Sequence, residues 1–397
     1  MNTDGSTTDA VGGVGRRPRD LAAERPRSPG RGGHPPAWPD RFVGTSADRS
    51  ALVVLLGLAA LTPRRLLELA SEAGTASACL RAVRAGRAGS DGDRRYAEAI
   101  DPHEVLERVR ACNARLVAVG DAEYPASLSD LHDPPAGLFV RGAALDPQRP
   151  HVSMVGARNC SAAGKEMALS LGRSLAAHGV AVVSGAARGI DANAHRGALS
   201  VGGPTVAVLG CGIDVAYPPA NRSLLAEIEA AGTVVSEYPP GTPAEPFRFP
   251  ARNRIVAALS RALVVVEGAE GSGSMISADH ALELGREVFA VPGPVSSPLA
   301  AVPLDLIRDG ATLIRGPDDL LGDLGVEIVS TRESDPAAEL DPDTRAVWEA
   351  LAGPSLPDQV ARTCGMGVAQ VMPLLIGLEL RGLVRQAGGR FERRLER

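Results

Sequence analysis

The sequence predicts an α/β fold built on a doubly wound, mostly parallel sheet. A small N-terminal helical domain and a C-terminal winged-helix-like domain flank it. Three observations lead there. Between residues 151 and 315 six apolar runs (VSMVG, VAVVSG, TVAVLG, TVVSE, ALVVVEG and EVFAVPG) alternate with segments long enough for helices. Unbroken β-branched runs suit strands buried on both faces, and helix-length spacers imply βαβ units. Before them, Leu52, Leu55, Leu56, Leu66, Leu67, Leu69, Leu80, Val83, Val105, Leu106 and Val109 recur at helical spacing. After them, helical stretches end in VRQAGGRFERR, a pattern that reads as a two-strand wing.

Residues 1–44 are rich in Gly, Pro, Arg and Ser without periodicity, and read as a disordered tail. Its seven Arg against five acids leave a nucleic-acid tail and an over-extended start site both open. Residues 45–115 read as the helical domain, of the SAM or helix–hairpin–helix kind, with Pro63 at a helix-to-helix turn. Residues 116–315 form the α/β domain, in which Leu138–Gly142 is an extended lead-in. Residues 316–343 hold nine acids against Arg332 alone and read as a solvated linker. Residues 344–397 hold helical stretches around 347–351, 359–363 and 368–383.

Composition excludes several classes. The 397 residues carry 42 basic and 47 acidic side chains, net -5, so a generally basic coat is absent, although a local basic groove is not excluded. Residues 151–260 hold nine basic and seven acidic side chains, so the acidic balance lies elsewhere, chiefly in the linker. Lys165 is the only lysine. Cys79, Cys112, Cys160, Cys211 and Cys364 form no CxxC pair, which argues against a zinc site or a disulfide framework and favours a reducing cytosol. The longest apolar run, residues 52–61, is too short to span a bilayer. A cytoplasmic protein without metal or cofactor is expected.

In open α/β sheets ligands bind outside the carboxyl ends of the strands, and the informative residues follow the apolar runs. They are Ala157-Arg158-Asn159-Cys160-Ser161, Ala186-Ala187-Arg188-Gly189-Ile190-Asp191, Cys211-Gly212-Ile213-Asp214, Arg252-Asn253-Arg254 and Ala269-Glu270-Gly271-Ser272-Gly273. Gly with Ser or Arg at a helix start suits an anion. Neither GxGxxG nor GxxxxGK[ST] occurs. Three Arg-bearing turns point instead to a surface for several phosphates, which Arg grips bidentately. Tyr217, Tyr238, Phe247 and Phe249 crowd beside the Arg252–Arg254 pair. Rings beside phosphate-binding Arg are what a single strand needs, although they could equally pack the loop. Asp191, Asp214, Glu237 and Glu267 are either catalytic carboxylates or structural, as a cap for Asp191 and as partners of Arg254 or Arg252 for the two Glu. His195 reads as a hydrogen-bonded structural residue, and Cys160 and Cys211 lack a His partner. Lys165 either touches phosphate or faces solvent.

These blocks together resemble the DprA/Smf family of DNA-processing proteins. The likeness runs from Tyr124-Pro125 and Asp133-Pro134-Pro135 through VGARNCS, SGAARGIDANAHRGAL, VLGCGIDVAYP, SEYPPG, FPARNRIVAALS, VVVEGAEGSGS and VFAVPG. It implies an extended Rossmann-like fold that binds single-stranded DNA, dimerises and loads RecA past the single-strand-binding protein SSB in natural transformation, with no catalytic reaction. Matching positions imply a DNA pocket of Arg158, Ser161, Ser184, Gly185, Arg188 and Gly189. Arg252, Asn253 and Arg254 would form its basic rim, with Ser272 and Gly273 at the last turn. Lys165 and Phe247 complete the candidate set. Gly203-Pro204-Thr205 and Gly271 stand where many relatives place a basic residue, and Val302-Pro303-Leu304 stands where they often have Gly-x-Asn. The alternative is a nucleotide-binding or nucleotide-cleaving enzyme on a related fold, with Glu267 and Arg158 as its actors. A transcription factor acting through residues 344–397 is disfavoured, because VAQVMPLLIGLELRGL is nearly all apolar.

Overall fold

We describe the chain from a computed structural model covering residues 37–326, 340–351 and 353–393. Five helices come first: α1 (Ser46–Leu55), α2 (Pro63–Ala73), α3 (Ala76–Arg84), α4 (Asp91–Ala99) and α5 (Pro102–Ala111). Each starts where the sequence supplies a cap. Thr45, Thr62, Thr75, Ser90 and Asp101 all accept a backbone N–H of the first turn, and Pro63 and Pro102 open their helices. Leu52, Leu55, Leu66, Leu67, Val83, Val105 and Val109 form the core. Of the long apolar run, Leu52–Leu55 are the buried end of α1, and Leu58 and Leu61 in the loop after it enter the same core. Trp38 and Phe42, placed by sequence in the tail, are buried against this core with their rings 4.6 Å apart. Residues 1–36 of that tail lie outside the described residues.

The sheet has nine strands: β1 (Ala114–Ala118), β2 (Gly137–Gly142), β3 (His151–Val155), β4 (Ala181–Ser184), β5 (Thr205–Leu209), β6 (Thr233–Ser236), β7 (Ala262–Val265), β8 (Glu287–Ala290) and β9 (Thr312–Leu313). Their order is β1-β2-β6-β5-β4-β3-β7-β8-β9. The seven strands from β6 to β9 are parallel, and β1 and β2 add an antiparallel edge. The six apolar runs are β3 to β8, and the extended lead-in is β2.

Successive residues of one strand enter different cores. Met154, Val182, Val264 and Phe289 pack with α6 (Ala162–Ala177), α7 (Ile190–Leu199) and α12 (Pro317–Asp323). Val155, Val183, Leu263 and Val288 pack with α9 (Arg248–Ala258), α10 (Gly273–Glu283) and α11 (Ala301–Arg308). Helix α8 (Arg222–Ala231) joins Ala207, Leu209 and Val234 in the core shared with the N-terminal helices. Residues 317–323, read from sequence as linker, are thus part of the fold. Leu320, Leu321 and Leu324 are buried in the α6 layer, while Asp318 and Asp323 are exposed and Asp319 pairs with Arg315.

The C-terminal unit has α13 (Pro342–Ala350), α14 (Pro357–Cys364) and α15 (Val368–Leu380). The antiparallel pair β10 (Val384–Ala387) and β11 (Arg390–Arg393) completes it. Val347, Val360, Val371, Leu375 and Phe391 form its own core. The helix–helix–wing plan agrees with the sequence expectation. Among the described residues no single helix is long and apolar enough to cross a membrane.

Candidate nucleic-acid interface

Strand order reverses at β3: the chain proceeds to β4, β5 and β6 on one side, then to β7, β8 and β9 on the other. The crevice at the carboxyl ends of β3 and β7 is therefore the expected ligand position. Both sides of it are tied together. Ala157 N–H donates to the Glu267 carbonyl at 2.8 Å, and the Glu267 carboxylate accepts from Ser161 N–H (2.9 Å) and Ser161 Oγ–H (2.5 Å). Ser161 Oγ also caps α6 by accepting from Gly164 N–H. The first turn is fixed, and Arg158 projects from it, exposed to solvent.

The second turn follows β4. Gly189 has φ 76°, and a Cβ there would lie 2.1 Å from the Ala157 carbonyl oxygen, so only glycine brings this turn against the first. Arg188 is exposed beside it. Gly185 performs a similar service, since a Cβ there would lie 2.3 Å from the Arg252 guanidinium.

Helix α9 supplies the third wall. Phe249 and Arg252 are one turn apart and face the crevice together. The Phe249 ring stacks on Tyr217 with centroids 5.1 Å apart and an interplanar angle of 27°. The Arg158 guanidinium carbon lies 5.7 Å from the Phe249 centroid, within cation–π reach. Two adjoining cavities result. One of about 280 Å³ is lined by Arg158, Arg188, Tyr217, Pro218, Phe249 and Arg252. The other, of about 370 Å³, is lined by Arg158, Asn159, Phe249, Arg252, Ser272 and Gly273, among others.

The charge of the cleft is one-sided. Among the described residues neither Arg158 nor Arg188 forms an ion pair. Asp191 lines the larger cavity but is buried, and burial raises its pKa against the opposing pull of Arg252. Burial also lowers the Arg252 pKa, and the nearby Arg158 charge adds to that. Exposed cations with spare donors, a stacked ring pair and Gly-opened backbone suit an anionic chain that carries planar groups.

Several sequence-chosen residues have other duties. Ser184 is fully buried and donates its hydroxyl to the Met154 carbonyl at 2.6 Å, so it is a structural residue of the sheet and does not reach the pocket. Arg252 and Arg254 form no open rim, for both are 5% exposed. Arg252 lies beneath the pocket, with Nη1 donating to the Val208 carbonyl. Arg254 points away from the cleft, pairing with Glu237 at 2.7 Å and Asp133 at 3.1 Å. Residues two apart on a helix cannot share a face, which is the physical reason for this correction. Asn253 donates to the Gly273 carbonyl at 3.3 Å, joining α9 to the α10 start, where Ser272 Oγ and Ser274 Oγ lie 2.6 Å apart. Lys165 is exposed on the first turn of α6 and lines neither cavity. Phe247 is 65% exposed, also outside both.

His195 is fully buried with Nδ1 2.7 Å from Thr205 Oγ1. That hydroxyl donates to the Val182 carbonyl, so the imidazole Nδ1–H donates to Thr205. Burial lowers the His195 pKa to about 3, which keeps the ring neutral. Burial raises the Cys160 thiol and pushes Cys211 up to about 11, so neither is a thiolate nucleophile.

Comparison with known proteins agrees with this geometry. The sequence profile of DNA recombination-mediator protein A matches residues 115–325, and that of the DprA winged helix domain matches residues 331–390. A putative DNA processing protein DprA of Mycobacterium tuberculosis is 39% identical over 334 residues, 78% of this chain and 85% of that protein. Protein Smf of Escherichia coli is 36% identical over 292 residues, 71% of this chain and 78% of its own length. The X-ray structure of DprA from Streptococcus pneumoniae superposes with a TM-score of 0.62 at 33% identity, covering 70% of this chain and 98% of that one. Shared fold, shared sequence and the matching winged-helix profile lead to one conclusion: the chain belongs to the DprA/Smf family of DNA recombination-mediator proteins.

Proposed function

We propose that the chain is a single-stranded-DNA-binding recombination mediator, which protects incoming DNA and loads RecA onto it in natural transformation. The observation that carries the reading is the cleft itself, where Arg158 and Arg188, which form no ion pair among the described residues, flank the stacked Tyr217 and Phe249 rings. Phosphate binding by Arg gives affinity without sequence, and ring stacking distinguishes unpaired bases from duplex. Membership of the recombination-mediator family supports the same role. The protein acts as a cytoplasmic homodimer, with RecA and SSB-coated strands as its partners and no covalent chemistry of its own. The enzymatic alternative draws less support, because the Glu267 carboxylate is taken up by Ser161.

The test is a binding titration with single- and double-stranded oligonucleotides of one length across a range of salt. Single strands bind more tightly, and Arg158→Ala weakens them and makes log K less salt-dependent by about 0.7, one phosphate contact. Equal affinity for duplex, or an Arg158→Ala protein that binds unchanged, refutes the reading. Filament assembly by the cognate RecA on SSB-coated DNA tests the mediator step. Release of free base from nucleoside monophosphates would overturn the non-enzymatic assignment.

A further inference from the structure

Helix α9 has a second lined face. One turn spacing joins Phe249 to Arg252 on the cleft side, and the same spacing joins Arg248, Ala251 and Arg254 on another side, with Phe247 at its start. That second face borders a separate cavity of about 280 Å³, whose far wall is the end of α1 and the loop into α2. Leu55, Leu58 and Leu61 supply that wall, and each is at least nine-tenths buried. We propose that this cavity between the helical domain and the sheet domain takes an unpaired, carbonyl-bearing nucleobase of the bound strand. The inference rests on the single-strand reading above.

Three features select that occupant. The mouth is aromatic: Phe247 is 65% exposed, and the Arg248 guanidinium carbon lies 5.3 Å from its ring centroid and 4.8 Å from that of Tyr238. An exposed phenyl ring with a cation beside it is a stacking surface for a planar group. The polar content is nearly neutral, because Arg254 is paired with Glu237 and Asp133 and Arg248 with Glu245. A phosphate entering would meet two carboxylates without a free cation, whereas a neutral base meets no such repulsion. The lining also holds a spare donor: Arg254 Nη1 is buried and has no hydrogen-bond partner among the described residues. A buried unpaired N–H favours an occupant with an acceptor, such as the exocyclic carbonyl of thymine, cytosine or guanine. The N-terminal end of α9 is then a ridge between two compartments. Phosphates sit on the Arg158 side, and a base crosses the ridge to stack on Phe247.

The test uses the full chain and an oligothymidylate carrying 5-iododeoxyuridine. Photo-crosslinking followed by peptide mass spectrometry reads which rings touch bases. Crosslinks at Phe247 or Tyr238, together with a roughly 5- to 100-fold weaker Kd for Phe247→Ala, are the expected result. Leu58→Phe, which fills the cavity without touching the cleft, weakens binding in the same direction. Phe247 is exposed, so its truncation leaves the fold intact. Crosslinks confined to Tyr217 and Phe249, or a Phe247→Ala protein of unchanged affinity, overturn the proposal. Arg158→Ala separates the two ideas: its loss of binding with Phe247→Ala silent leaves the cleft reading standing and removes only this one. A chain that binds no single strand removes both.

Discussion

Replacing Arg254 by Met should destabilise the protein severely, and more so as pH rises. Its guanidinium is 6% exposed and held between Glu237 and Asp133, whose side chains are 8% and 35% exposed. Deleting one partner of a buried ion pair leaves charge in low dielectric and costs about 3–5 kcal/mol. Against a total stability of about 5–15 kcal/mol that is a large share, worth a Tm loss of roughly 10 °C in a domain of this size. Burial already raises the Glu237 pKa, with Arg254 opposing. The folded state thus binds the Glu237 proton more tightly than the unfolded state, and stability falls as pH rises from the ordinary carboxylate value through the raised one. Without Arg254 that window extends upward, so the deficit is smallest near pH 5 and largest near pH 8, both approximate. Urea unfolding of both proteins across this range is the assay. Arg158→Met, at an exposed site with no ion pair among the described residues, is the control and should change stability by less than about 0.5 kcal/mol. A deficit for Arg254→Met below about 1 kcal/mol, or one flat with pH, would refute the buried-pair account.

Other outcomes follow from the same structure. Ser161→Ala removes the α6 cap and the Oγ–H bond to Glu267, and should cost about 1–3 kcal/mol in chemical denaturation. Gly189→Ala sets a Cβ 2.1 Å from a backbone oxygen at φ 76°; melting temperature and DNA affinity should fall together, because the second turn must leave the first. The neutral, buried His195 has its pKa lowered to about 3 from 6.5. Its unfolded form binds the proton first, so stability is lost as pH falls below about 6.5, by on the order of a few kcal/mol, and His195→Leu should flatten that slope.

The central strands were legible because a parallel strand buried on both faces leaves an unbroken apolar signature, and β3 to β8 all carry it. Edge strands leave less. β1 and β2 alternate irregularly and lie among Pro-rich turns, so only β2 was visible, and only as an extended segment. Helix α12 was hidden by Asp318, Asp319 and Asp323, although Leu320, Leu321 and Leu324 already had the spacing of a buried stripe. At the site, Arg158, Arg188 and Gly189 were found because their type follows from their place at strand ends. Composition shows that four rings are close but not which compartment each enters: Tyr217 and Phe249 line the Arg158 cleft, whereas Phe247 borders the cavity beside α1. The one-turn spacing of Phe249 to Arg252 was the available signal. The burial of Arg254 depends on Asp133, more than a hundred residues away in sequence, which no local pattern contains.

The tie between Glu267 and the first turn bears on how the cleft takes up a ligand. Glu267 sits at the end of one half of the sheet and holds the turn from the other half by backbone and side chain at once. The amides of Ala157 and Ser161 are therefore satisfied before anything binds, and their hydrogens should exchange slowly in the free protein. A ligand arriving at Arg158 meets a turn whose ordering entropy was lost during folding. Contacts made there can appear almost undiminished as affinity, and the adaptable partner in the encounter is the ligand.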